Sequence, residues 1–502
     1  MQKVGVLAVL AALAAAPAAI AGTINVPGDY PTIQQAIDAA VPGDVIQVGF
    51  GTFKENINLK GKAIRLQGNG RLKSIIDGSN GGPVITTASG ETLATVIDGF
   101  SIKLGTGKLI GSQRFGGGMY ISKGSSPTIS GDTAIGFNTA NVGAGLFIDR
   151  GCSPLLQDLL IANNVTANKG TGAGLYVLGT PTFDNCRIAE NTATTGSGGG
   201  VYFANTSLTM DGNTIYKNHS FYGGGILVNG GNVTLSNNLF ELNEVVKAPV
   251  NGEGGGLGIV GGSTTTVVNN EFRFNSAHSG GGIYTYDANP TIVVNLIHDN
   301  TAATNPNGLF GFGGGLAMGK TTGSVQLNEI YFNGATFGGG LAFRTSTTSL
   351  IYGNIIDHNA AAPGGAGSGG GMFSKDSSPV ILADTVANNN ANAGGGLYIT
   401  GTAAPTMDTS IIWGNTATTD ISFFDGTGLF TVGFSDVEAA SLGGSSLSID
   451  PQFTDTTSRN YRLATGSPVV DAGNFTFSGS PTDIYGATRV QNGRVDMGAS
   501  EQ

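Results

Sequence analysis

Gly116-Gly117-Gly118-Met119-Tyr120-Ile121 returns as Gly394-Gly395-Gly396-Leu397-Tyr398-Ile399, and the same glycine triplet with its alternating strand occurs eleven times in all. The third glycines stand at 118, 145, 174, 200, 225, 256, 282, 315, 340, 371 and 396, with Ala144 and Ala173 replacing two middle glycines. A second element follows, as in Ser126-Pro127-Thr128-Ile129 or Asn289-Pro290-Thr291-Ile292. A third has the form Ile/Phe/Val-x-x-Asn and ends at Asn138, Asn164, Asn191, Asn218, Asn243, Asn275, Asn300, Asn333, Asn359, Asn389 and Asn415. Six coils carry a further asparagine ahead of the apolar residue: Asn213, Asn238, Asn270, Asn295, Asn328 and Asn354.

Three short strands per repeat, separated by Gly, Pro or Asn turns, describe one coil of a parallel β-helix. Residues one and three past each triplet are nearly all aliphatic, and period-two alternation sends them inward. Each such burial contributes roughly 1.5–3 kcal/mol. The recurring Asn is expected at a left-handed turn position, its amide bonded to the next coil. One such bond is worth roughly 1 kcal/mol net, so the ladder sets register more than it supplies stability. Residues 44–115 lack the triplet but keep short strands, which adds about three coils. The expectation is an all-β, single right-handed parallel β-helix over residues 44–430, three strands per coil, on the order of 65 Å long at ~4.8 Å per coil. Pro31 to Ala40 has the pattern of a short amphipathic helix, assigned as a lid within an N-terminal cap of residues 22–43. Residues 431–502 form a C-terminal cap.

Residues 1–21 read as a secretory signal: Lys3, an apolar run from Val4 to Ala16, and the small-residue site Ala19-Ile20-Ala21. The chain is therefore expected outside the cell, released or at the cell surface, with no transmembrane segment after cleavage. With 84 glycines, 12% charged and 40% hydrophobic residues, it is poor in helix formers yet too apolar for disorder. A net charge of -10 argues against nucleic acid as a partner. Residues 420–502 carry ten acids against four arginines. No cofactor is expected; calcium on this acidic tail is the single candidate, and a solvated acidic surface is the commoner case. Cys152 and Cys186 fall about seven residues apart in the coil register, roughly 23 Å in extended chain, too far for a disulfide. A monomer is expected.

The opening, Val26-Pro27-Gly28-Asp29-Tyr30-Pro31-Thr32-Ile33-Gln34 through Gly51-Thr52-Phe53-Lys54-Glu55-Asn56, resembles pectin-lyase-like β-helix proteins, pectin methylesterases among them. The triplet with Ile/Phe-x-x-Asn resembles the repeats of chlamydial polymorphic outer membrane proteins. The tail is similar to the choice-of-anchor Q family of secreted bacterial β-helix proteins. It carries Asp450-Pro451-Gln452-Phe453, Tyr461-Arg462-Leu463, Gly466-Ser467-Pro468-Val469-Val470-Asp471-Ala472-Gly473 and Val495-Asp496-Met497-Gly498-Ala499. No translocating barrel follows the repeats and no sorting segment follows the tail, so release and surface retention are both expected outcomes.

The fold serves lyases, hydrolases, esterases and adhesins alike, so chemistry must come from residues. There is no Asp-Asp dipeptide, no Gly-His-Gly and no Arg-x-Pro-x-x-Arg; His219, His278, His298 and His358 stand in none of those settings. The esterase-like Gly51-Thr52-Phe53-Lys54-Glu55 lacks the downstream catalytic aspartates. No catalytic residue or metal ligand is assigned. A non-catalytic glycan-binding or adhesin-like protein is favoured, with a polysaccharide lyase or hydrolase as the alternative.

The residue two past each triplet should point outward. It is aromatic at Tyr120, Phe147, Tyr176, Tyr202, Tyr284, Phe373 and Tyr398. This row is the candidate binding site for an extracellular polysaccharide or cell-surface glycan, sugars stacking on ring faces, against a plainer reading as cross-coil packing. Outward rings are expected to contribute little to the core. Long loops at residues 244–253, 301–312 and 360–368 alternate with short ones and are expected to wall a groove beside the row. A second outward stripe, Tyr216, Glu241, Arg273, His298, Tyr331, Asp357 and Trp413, reads as a solvated face.

Overall fold

The computed structural model describes residues 21–245, 252–304, 308, 310–362, 366–419, 422–426, 430–438, 445–474, 480–491 and 493–502. The leader lies outside the described residues except for Ala21, and so do the middles of the three long loops. No helix among the described residues is long and apolar enough to cross a membrane.

The chain winds into a solenoid of parallel strands in which every coil pairs with the next in fixed register, as Leu175↔Val201, Tyr176↔Tyr202 and Val177↔Phe203. One coil reads Leu175–Val177, Thr182–Asp184, Arg187–Ala189 and Thr192–Ser197. Strands of the first two kinds belong to one 28-stranded sheet; the third and fourth kinds build sheets of 15 and 13 strands. Coils of this kind carry four strands where three were expected, whereas Val201–Asp211 and Ile226–Ser236 each run through the first two places and leave three strands in their coils. The fourth lies between the Asn and the next triplet, in Thr-, Ala- and Gly-rich segments whose apolar signal is weak. Pairing continues to Asp436–Val437, beyond the expected end at 430.

The aliphatics of the triplet strand, such as Leu146, Ile148, Ile226 and Val228, are fully buried along the axis, joined by Ile188, Ile215 and Phe240 from the Asn-bearing strand. Packing is too tight for any side chain at the third glycine. A Cβ at Gly225 would lie 2.5 Å from the Gly256 carbonyl oxygen and 2.9 Å from Ile215 Cγ2.

The asparagines differ from expectation in an informative way. The left-handed residue is the one before each Asn: Phe137, Asn163, Glu190, Lys217, Leu242, Phe274, Asp299, Phe332, His358 and Asn388 have φ between 50° and 59°. That turn swings the Asn inward. All eleven are buried, and in the first ten Nδ2 donates to Oδ1 of the Asn one coil on, as Asn164 to Asn191 at 2.9 Å and Asn275 to Asn300 at 2.9 Å, while Asn415 Nδ2 donates to the Val386 carbonyl at 2.9 Å. A left-handed non-glycine residue costs about 1–2 kcal/mol. The satisfied amide behind it offsets that, since a buried amide without partners costs as much or more. A second ladder runs Cys186, Asn213, Asn238, Asn270, Asn295, Asn328, Asn354 and Asp384, and continues on the hydroxyls of Ser410 and Ser435. Both cysteines are buried and free, as the spacing argued.

The lid helix forms at Ile33–Ala39, with Ile33, Ala36 and Ile37 buried. Its ends are held by side chains from the solenoid. Glu55 accepts hydrogen bonds from the Ile33 and Gln34 N–H groups at 2.8 and 2.9 Å, and Lys62 Nζ donates to the Ile37, Asp38 and Ala40 carbonyls at 2.7–2.8 Å. The glutamate of the esterase-like stretch is thus a helix cap. Glu55→Ala should cost about 1–2 kcal/mol of stability by thermal melting, from loss of the cap and of its charge at the dipole. A change near zero would mean that the apolar face alone holds the lid.

The C-terminal segment lies along the side of the last coils. Tyr461, Leu463, Val469 and Met497 pack on Ile355, Ala387 and Ile411, with Trp413 beside them. Arg459 reaches from it to Asp357 (Nε to Oδ2 2.8 Å, Nη2 to Oδ1 3.0 Å) and Glu329 (3.0 Å), its guanidinium 3.3 Å from the Tyr331 ring centroid. The second outward stripe is therefore divided. Arg273 with Glu241 and Glu271 faces solvent, whereas Tyr331, Asp357 and Trp413 meet the C-terminal segment, and the Asp357 side chain is fully buried.

Candidate functional site

Parallel register stacks every residue two past a triplet on its counterpart one coil away. Where both are aromatic the rings stack: Tyr120–Phe147 at 5.5 Å, Phe147–Tyr176 at 6.0 Å and Tyr176–Tyr202 at 5.0 Å, with planes within 17° of parallel. Phe373–Tyr398 forms a second stack at 5.9 Å. Tyr284 stands between, next to Gly258 and Ala317 in the row, with Tyr286 as its parallel ring neighbour at 6.5 Å. The row therefore comes together as two ladders and one separate ring.

The ring faces in each ladder point along the rod at one another. This changes the contact expected of them: a sugar meets ring edges, not faces. Tyr120 and Phe147 are only 6% and 5% exposed, so these rings also stabilise the fold, contrary to the expectation for outward side chains. They are covered by an antiparallel hairpin, Lys108–Ile110 with Gln113–Phe115, which places Lys108 Nζ 4.8 Å from the Tyr120 ring and Phe115 edge-on to Phe147 at 5.2 Å.

Beside this ladder runs an open groove of about 600 Å³. Phe115, Phe147 and Tyr176 form its apolar wall; Gln113, Asn141 and Lys169 face them with amides and an ammonium. Burial raises the pKa of the Tyr176 phenol, which therefore stays protonated as a donor at neutral pH, and Arg150 is near enough to act on it. The Arg114 backbone N–H donates to Asn141 Oδ1 at 2.9 Å, while its guanidinium donates to the Gly107 carbonyl at 3.1 Å. Residues 103–176 hold six Lys and Arg against three Asp, in a chain of net charge -10. The groove thus lies in a basic stretch of an acidic chain, with Lys169 as the cation in its lining. Gln113, Asn141 and Lys169 were missed from sequence; the local reversal of charge points toward Lys169 but carries no signal for the two neutral amides.

Farther along the same face a hollow of about 150 Å³ opens where the row is broken, lined by Glu253, Ser279, Tyr284, Tyr286, Phe312 and Arg344 among others. Glu253 and Phe312 end two of the long loops. Among the described residues no group of three or more His, Cys, Asp or Glu is placed to hold a metal ion.

A family model described as "Right handed beta helix region" matches residues 52–240, 163–315 and 279–441. A stretch of 76 residues is 42% identical to the "Probable pectinesterase/pectinesterase inhibitor 17" of Arabidopsis thaliana, covering 14% of this chain and 15% of that protein. Among solved structures, "Crystal structure of pectate lyase Pel9A" aligns over 96% of both chains with 13% identity and a TM-score of 0.26.

Proposed function

The chain belongs to the right-handed β-helix family, and on that scaffold we propose a secreted, non-catalytic protein that binds acidic polysaccharide in the groove beside Phe147 and Tyr176. The observation that carries this reading is the groove itself: aromatic rings, amides and the Lys169 ammonium in its lining, with Arg150 near enough to act on Tyr176. Ring edges and CH groups of a pyranose make apolar contact, amides fix hydroxyls, and the cations select carboxylate-bearing chains. The leader pattern and the tail motifs resembling the choice-of-anchor Q family support export, with attachment at the cell surface or release. Support for a glycan as ligand also comes from the pectinesterase-like stretch.

The double change Lys169→Gln with Arg150→Gln tests the reading, because it removes charge without touching the ladder. Retention on polygalacturonate in affinity electrophoresis should weaken about tenfold, the loss shrinking at high salt as exposed charges are screened. A neutral galactan should be retained equally by both proteins. Unchanged retention on polygalacturonate would remove the groove from consideration. Unsaturated products or new reducing ends at catalytic rates would replace the binder with a lyase or hydrolase.

A further inference from the structure

The hollow around Arg344 holds a cation with no ion-pair partner among the described residues. In the row, Tyr284 is followed by Ala317 and Ala342, whose methyl groups leave open the volume that rings fill elsewhere. Arg344, two residues past Ala342, lies in that space with its guanidinium 3.8 Å from the Phe312 ring centroid. It is partly buried, and burial pulls its pKa down. Among the described residues its side chain makes no hydrogen bond and no ion pair, unlike Arg459 and Arg273, which each hold two carboxylates. Withdrawing a guanidinium from water is unfavourable unless an anion meets it, and ring stacking compensates only in part.

The groups facing Arg344 are suited to supply that anion from outside. Glu253 is the carboxyl on this side, and it lines the hollow together with Tyr284. Burial pushes its pKa up to about 7, so below neutrality it is uncharged. Burial also raises the phenols of Tyr284 and Tyr222 and lowers the pKa of the imidazole of His278, which Arg344 depresses further. Lys320 Nζ lies 5.5 Å from the Tyr286 ring on the outer edge. The hollow is therefore net positive in mildly acidic solution. The hollow has a volume of about 150 Å³ and opens to solvent.

We propose that this hollow is a subsite for a single pyranose bearing a carboxylate or sulfate, which pairs with Arg344. The anionic group takes the fork of the guanidinium, Ser279 and Thr345 line the hollow with hydroxyls, and the part-exposed Tyr286 ring gives the sugar an apolar wall. When Glu253 ionises it places a like charge beside the bound anion and itself attracts Arg344, and the ligand leaves. Tyr284 lies four coils beyond Tyr176, about 19 Å along the rod at ~4.8 Å per coil. An extended acidic chain therefore spans both places and gains by occupying them together. The inference rests on the polysaccharide-binding reading, but its test does not.

Saturation-transfer NMR on the folded chain, with glucuronate, glucose 6-sulfate and glucose as probes, separates the cases at about pH 6 and about pH 8, either side of the Glu253 transition. Binding of either acidic sugar is expected at the lower pH and at least about tenfold weaker at the higher, with glucose silent. Response to glucuronate alone assigns a uronate, and to the sulfate alone a sulfated sugar. Arg344→Gln should abolish the signal, and Glu253→Gln should preserve it at about pH 8. Lys169→Gln should leave monosaccharide binding intact while weakening polymer retention, so the groove and the hollow fail separately. Glucose binding as well as glucuronate does, or a signal that persists in folded Arg344→Gln, would overturn the proposal.

Discussion

Asn300→Ala should lower the free energy of unfolding by about 3–5 kcal/mol, more than truncating most surface or loop residues does. Asn300 Oδ1 accepts from the Asn275 N–H and Nδ2 at 3.0 and 2.9 Å, and its own Nδ2 donates to the Phe272 carbonyl at 2.8 Å and to Asn333 Oδ1 at 3.0 Å. The residue is fully buried, so its partners would lose their bonds away from water. Each stranded group costs about 1–3 kcal/mol, partly recovered by relaxation. Because each coil contacts only its neighbours, the break should also uncouple the coils before and after it. Urea unfolding should then become broader or biphasic, and hydrogen exchange should show faster opening at Asn275 and Asn333 than at Asn164 and Asn191. A loss below about 1 kcal/mol with a single sharp transition would mean that water takes the place of the amide.

What the sequence made legible follows from how each feature is encoded. The coil register was readable because apolar identity repeats at fixed offsets from the triplet, and strand pairing then stacks like on like, as Met119 on Leu146 and Ile121 on Ile148. The bend before each asparagine was not, because the residue taking the left-handed conformation is Phe137, Glu190, Lys217 or Asp299 with no shared chemistry. The packing between coils imposes it, not local preference. The stacking of Tyr120, Phe147, Tyr176 and Tyr202 was half visible: spacing put the rings one coil apart, but not the hairpin that buries two of them. Arg344 was invisible, since its isolation depends on the small side chains of Ala317 and Ala342 and on Phe312 from another coil. The lateral packing of the C-terminal segment rests on pairs such as Arg459 with Asp357, 102 residues apart, which no local pattern announces.

The aspartate rung of the second ladder gives the clearest pH effect. Asp384 occupies a place held by asparagine in six preceding coils, and its Oδ1 plays the asparagine part, accepting from the Asn354 N–H at 2.7 Å and Nδ2 at 2.8 Å. In those coils Nδ2 donates back to a core carbonyl, as Asn354 to Val325 and Asn328 to Ile292. At Asp384 the equivalent atom is Oδ2, fully buried and without a donor, so a proton is needed there. Burial accordingly pushes the pKa of Asp384 up to about 7, with the Arg489 guanidinium of the C-terminal segment pulling the other way. The unfolded chain titrates near 3.9. Between those values the folded state holds a proton that the unfolded state has lost, so stability falls as pH rises from about 4 to about 7 and is flat above. Three units correspond to an upper limit of about 4 kcal/mol. Asp384→Asn supplies the missing donor permanently, so it should match the parent protein near pH 4 and exceed it by about 2–4 kcal/mol above pH 7. Urea titrations across that range would show the two curves diverging upward in pH. Parallel curves, or a variant less stable at high pH, would mean that Asp384 is ionised in the fold and paired with Arg489.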